Sequence, residues 1–200
     1  MKLYFTPNTC ALAPLIALKE LDVTADLEKV DLGAKKLSTG ADYRGVNTKG
    51  YVPALDTGKD GVLTEVSTIL QYLADNNPAK NLLPKFGDMK RYRAMEMLNF
   101  VASELHKTIG SLFNKAFNDD ARKAVFDRLD NRIGWLDAQL AKKPYLLGED
   151  YSLADAYAFT VLGWCKVVGY DLGKFANVTA YLERVGARPA VQAALAAQSA

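Results

Sequence analysis

The sequence predicts an α/β domain followed by an all-helical one. Three observations carry this. Over roughly the first 76 residues, short β-prone runs alternate with segments of helical apolar spacing. The stretch from Asn76-Asn77-Pro78 through Pro84 to Gly87 is rich in structure breakers. Beyond Gly87 no strand is convincing. The expected organisation is therefore a first domain over 1–77, a linker over 78–87 and a helical domain over 88–200.

Lys2 to Phe5 is a short strand, and Thr6-Pro7-Asn8-Thr9 is a turn. Cys10 to Leu21 follows as a helix, with Leu12 and Ile16, and Leu15 and Leu18, at helical spacing. Leu27 to Asp31 is a strand with imperfect alternation, and Thr39 to Asn47 is irregular or briefly helical. Val52 to Asp56 and Val62 to Thr64 flank Thr57-Gly58-Lys59-Asp60-Gly61 as a hairpin. Ser67 caps a helix running through Ala74. Later helices are expected over 88–117, 119–140, 152–167, 174–186 and 189–197. Ser152 with Asp155 three residues on forms a capping box, which we take as a folding element and not a site.

Composition removes several function classes. The chain is 50% hydrophobic and 24% charged, which is globular. Two Cys and one His cannot supply the four ligands of a structural zinc site unless carboxylates fill in, and no metal is expected. A net charge of +2 with both signs scattered gives no footprint for nucleic acid. The apolar run from Cys10 to Leu18 is too short to span a bilayer. It is no signal peptide either, because Lys19-Glu20 stands where a small-residue cleavage site belongs. A cytoplasmic location with reduced thiols is expected. Gly-rich dinucleotide, nucleophile-elbow and zinc-protease motifs are absent.

Four places can carry chemistry. Cys10 stands at a helix start, where free N–H groups and the macrodipole favour a thiolate. As a small buried hydrophobe it would instead be inert, which is the reading taken for Cys165 beside Trp164. Position 13 is Ala, so Cys10 has no neighbour for an intramolecular redox couple. Val52-Pro53 suits a cis turn whose backbone can pair with an extended ligand. Glu65-Val66-Ser67, between strand and helix, is either a plain cap or a site for a carboxylate or an amine. His106 is the one histidine. Asn99, Ser103, His106, Lys107 and Gly110 form a polar stripe opposite Leu98, Val101, Leu105, Ile109 and Leu112. Periodicity leaves that stripe as either a solvated side or the wall of a cleft.

Taken together, the residues resemble the cytosolic glutathione transferases, and within them the bacterial beta class. The carriers are Met1-Lys2-Leu3-Tyr4-Phe5-Thr6-Pro7 leading to Cys10, Val46-Asn47-Thr48-Lys49-Gly50-Tyr51-Val52-Pro53-Ala54-Leu55 and Leu63-Thr64-Glu65. Gln71-Tyr72-Leu73-Ala74-Asp75, Leu98-Asn99-Phe100, Ser103-Glu104-Leu105-His106-Lys107 and Asp155-Ala156-Tyr157 continue the match along the chain. The resemblance implies a thioredoxin-like β-α-β-α-β-β-α domain before the all-helical one, in a homodimer. It implies Cys10 as the thiol beside the glutathione sulfur, with Lys35 and the Val52 backbone before a cis Pro53 holding the tripeptide. Glu65 and Val66 would hold the γ-glutamyl end, Val66 replacing the usual Gly or Ser, with Ser67 next. Asn99, Ser103, Glu104, His106 and Lys107 would contact glutathione or its sulfur, some from the dimer partner.

The implied activity is conjugation of the glutathione thiol to small apolar electrophiles, a detoxification reaction. Glutathione is then a co-substrate and no other cofactor is required. Phe113, Tyr157 and Trp164 are expected to line the apolar pocket for the second substrate. Two alternatives remain. In one, Cys10 cycles through a mixed disulfide in thiol-disulfide exchange or peroxide reduction. In the other, the fold is a non-catalytic binder of apolar ligands.

Overall fold

The computed structural model describes residues 1–199. Its first unit is built on β1 (Lys2–Phe5), the middle strand of five in the order β3-β2-β1-β4-β5. β2 (Asp26–Asp31) runs parallel to β1 after the helix α1 (Leu12–Glu20). β4 (Ala54–Asp56) lies antiparallel on the other side and continues through a hairpin to β5 (Val62–Thr64). Register places Leu3 against both Leu27 and Leu55, and Leu55 against Leu63. α2 (Val66–Asp75) closes the unit. This is the thioredoxin-like arrangement. Two details differ from the expected order: β3 (Lys36–Leu37) adds a short edge strand, and the second helix is a single 3-10 turn at Tyr43–Gly45.

α1 is buried from Leu12 to Leu18, and its apolar residues wrap the whole circumference. Pro14 is tolerated because it sits in the first turn, where N–H groups have no intrahelical acceptor. The full burial has a cause at the other end of the chain. The unit comprises Met1–Asn81 together with the segment from Arg188 onward. α9 (Pro189–Ser199) packs on α1 through Val191 and Ala194. Arg188 fixes it by a two-pronged bond to Glu20, at 2.6 and 2.8 Å. This corrects the expected division, which gave 88–200 to the helical domain. The Ala-rich face of α9 allows close approach to α1, a tertiary match invisible to local periodicity.

The second unit spans Leu82–Ala187. It holds α3 (Met89–Phe100), a π-helical segment (Val101–His106), α4 (Lys107–Ser111) and α5 (Asp119–Leu140). α6 (Leu153–Leu162), α7 (Trp164–Val167) and α8 (Ala176–Gly186) follow. The helix expected over 88–117 therefore stops at Ser111, and 112–118 turns into the Asn118 cap of α5. The helix expected over 152–167 breaks at Gly163. α6 starts at the expected capping box, with Asp155 buried and accepting from the Ser152 N–H and hydroxyl, both at 2.8 Å. Among the described residues, no helix is long and apolar enough to cross a membrane.

Candidate active site

In the first unit, Cys10 lies in the turn after β1, one residue before the Ala11 N-cap of α1. The expected helix began at Cys10 itself. Thr9 builds the turn: its hydroxyl donates to the Thr6 carbonyl at 2.7 Å and accepts from the Ala11 N–H at 3.3 Å. Asn8 takes a left-handed conformation there, with φ 62. The Cys10 thiol is partly exposed and donates to the Val52 carbonyl at 3.4 Å. Two positions 42 residues apart are thus brought together. The Val52-Pro53 peptide is cis. The Val52 carbonyl, expected to be open to a ligand, already accepts one donor; its second lone pair is what a ligand N–H would use.

The approach to Val52 is held by buried polar groups. Tyr43 and Asn47, both buried, donate to the Tyr51 carbonyl at 3.2 and 2.7 Å. Gly50 turns the chain with φ 69, a conformation that disfavours a side chain. The Lys35 ammonium donates to the Gly50 carbonyl at 2.8 Å, so Lys35 stands beside the same loop. Glu65 also has positive φ, 69, and it is the N-cap of α2 with no side-chain cap bond. Ser67, expected as the cap, lies inside the helix, and Val66 buries its side chain. At this position the segment can offer a ligand the Val66 backbone and not its side chain. The Glu65 carboxylate meets Lys49 at 2.5 Å, and Lys49 also donates to Thr64 at 2.8 Å. The residue reading missed Lys49. Its only trace was its place in the Val46-to-Leu55 run.

In the second unit, His106 ends the π-helical segment, a geometry that recurs at functional sites. Its Nδ1 lies 2.6 Å from the Tyr157 hydroxyl. Its ring meets Tyr157 edge-on at 5.7 Å and Trp164 at 5.0 Å, and Trp164 in turn meets Phe113 at 5.9 Å. The three aromatics expected to line one pocket do cluster, with His106 among them. Phe113 is exposed, whereas Tyr157 is only 3% exposed and shows its edge to His106. Asn99, Ser103 and Lys107 are exposed, and the Ser103 hydroxyl donates to the Asn99 carbonyl at 2.9 Å. Glu104 is committed elsewhere. Its Oε2 accepts from Arg132 at 2.6 Å and Arg128 at 3.1 Å. These bonds, Arg132 first, hold its carboxyl below the ordinary value. Cys165 has the opposite character: burial pushes its thiol up to about 12.

Sequence-family models for the N-terminal and C-terminal domains of glutathione S-transferase match residues 9–76 and 100–189. Glutathione S-transferase GstA of Escherichia coli O157:H7 is 38% identical over 99% of this chain and 98% of its own length. The chain belongs to the glutathione S-transferase family. Solved members share its fold closely. A beta-class transferase from Sphingomonas chungbukensis superposes with a TM-score of 0.94 at 42% identity, over 99% of this chain and 98% of that one. A sphingomonad glutathione S-transferase complexed with glutathione gives 0.95 at 41%, over 100% and 99%. This glutathione S-transferase therefore has the bacterial beta-class resemblance that its motifs imply, and it is an enzyme of the transferase class.

Proposed function

We propose that the chain joins the sulfur of glutathione to small apolar electrophiles. The observation that carries this reading is the Cys10 thiol on the Val52 carbonyl. It puts the thiol of a partly exposed cysteine beside backbone suited to pairing with an extended peptide. Lys35, Val52, Glu65 and Val66 are assigned to the tripeptide, as are Asn99, Ser103, Glu104, His106 and Lys107. The glutathione thiol has a pKa well above neutral, so it must be held as thiolate before attack. In the reaction the sulfur–carbon bond forms as the leaving group departs with the electron pair of its own bond. Cys10 and His106 are assigned to the sulfur. Glutathione is the co-substrate, and no further cofactor takes part. The working form is a homodimer in the cytoplasm, where both thiols stay reduced.

The test is a pair of rates measured side by side, with an aryl halide and with a glutathione mixed disulfide. Faster turnover of the aryl halide supports conjugation. Faster reduction of the disulfide overturns it in favour of thiol-disulfide exchange, which the partly exposed Cys10 also suits. Absence of both rates leaves an apolar-ligand binder. Sedimentation at micromolar concentration should give twice the 21.9 kDa chain, and a pure monomer would refute the dimer.

A further inference from the structure

We propose that Tyr157 is the positioning residue of His106: its phenol donates to Nδ1 and thereby fixes the imidazole proton on Nε2. The inference rests on the role proposed above for His106 and says in which form the ring performs it. A neutral imidazole has one donor and one acceptor nitrogen, and the partner of one decides the tautomer at the other. Of the two groups 2.6 Å apart, the phenol is the better donor and the ring nitrogen the better acceptor. Nδ1 is then spent, and the neutral ring works through Nε2–H. It stabilises an anion by donating a hydrogen bond and takes no proton from it.

The surroundings are those of a support and not of a pocket wall. Tyr157 is buried at 3%, on α6, whose residues from Leu153 to Ala158 are all buried. A phenylalanine would fill that space equally well. A buried hydroxyl is costly to desolvate unless it is bonded, so its presence needs a partner, and His106 is one. Trp164 meets the imidazole at an interplanar angle of 72°, and Tyr157 meets it at 89°. Two steeply inclined rings and the hydrogen bond to Tyr157 therefore help to set the orientation of His106. Such partners of a working histidine matter through the ring they hold.

Because His106 is the sole histidine, long-range proton–nitrogen NMR of labelled protein reports its tautomer without ambiguity. The wild type should show Nε2–H alone at neutral pH, with Nδ1 unprotonated. An Nδ1–H tautomer there overturns the proposal without any variant. In Tyr157→Phe both tautomers should appear. Turnover with saturating glutathione should fall about tenfold, the scale of losing an outer partner that holds a working histidine, while KM for glutathione stays within about twofold. In a His106→Ala background Tyr157→Phe should cost nothing more. Additive losses, or an unchanged tautomer in Tyr157→Phe, would refute the assignment. The NMR arm needs no glutathione. A tautomer shift in a chain without transferase activity therefore sinks the proposed function and spares this link.

Discussion

The two cysteines and the histidine divide the chemistry at the scale of single residues. Cys10 is partly exposed at a helix start, while burial drives the Cys165 thiol up to about 12. Attack on a disulfide needs thiolate, which burial denies to Cys165 at neutral pH. After treatment with oxidised glutathione, intact mass should show one adduct, absent from Cys10→Ala. An adduct that survives in Cys10→Ala and vanishes in Cys165→Ala would reverse the assignment. His106→Ala should lower turnover about tenfold or more. A histidine of the polar stripe that acts on the thiol matters to rate more than to folding, so sequence alone predicts a nearly unchanged melting temperature. The structure changes that expectation, because the variant removes a partner of the buried Tyr157 hydroxyl. A lost bond of this kind costs roughly 1–3 kcal/mol. For a chain of this size a melting point several degrees lower is expected, at about 2–4 °C per kcal/mol. An unchanged melting point would mean the hydroxyl is satisfied without the imidazole.

At the scale of elements, the start of α6 is held from several segments at once. The buried Asp155 carboxylate accepts from the Leu146 N–H at 2.9 Å, from Ser152 twice at 2.8 Å, and from the Tyr181 hydroxyl at 3.2 Å. Asp155→Ala strips the partner from the Leu146 N–H and from both Ser152 donors, while the Tyr181 hydroxyl keeps the backbone carbonyl of residue 155. Each orphaned group costs roughly 1–3 kcal/mol, so a loss of about 3 kcal/mol or more is expected in urea unfolding. A loss below about 1 kcal/mol would show that the network is dispensable. Sequence was a good guide to this cap because Ser and Asp three apart form a local motif. It was a poor guide to the π-helical segment. Leu98, Val101, Leu105, Ile109 and Leu112 are all buried, as helical spacing predicts. One extra residue in a turn leaves that apolar spacing almost intact, so nothing in the pattern marks it. Lys49 escaped for a different reason: its partner Glu65 lies 16 residues away, a tertiary pairing that no local rule foretells. The Cys10–Val52 contact joins two strands' ends through sheet topology, and only the family resemblance brought both into one site.

At the scale of the whole molecule, stability should depend on pH with a sign set by a few carboxylates. Hydrogen bonds from Arg132 and then Arg128 lower Glu104, and bonds from Lys174 and then Tyr170 lower Asp130. A lowered folded pKa means the unfolded chain binds the proton first as pH falls. The stabilisation is therefore complete above the ordinary values of 4.5 and 3.8 and is lost as pH drops through the lowered ones. Asp155 runs the other way: burial raises it despite its hydrogen bonds, so its share is lost as pH rises through its folded value. The Glu104 side chain is 28% exposed and its arginines 53% and 41%, so water and salt screen the cluster. Its worth is about 1 kcal/mol or less for each pair. Glu104→Gln should therefore melt slightly below the wild type at pH 7 in low salt. The gap should narrow in high salt, and it should close below the lowered folded pKa, where both side chains are neutral. A gap that persists at that acid limit would mean Glu104 stabilises the fold through its shape and neutral hydrogen bonds, and not through its charge.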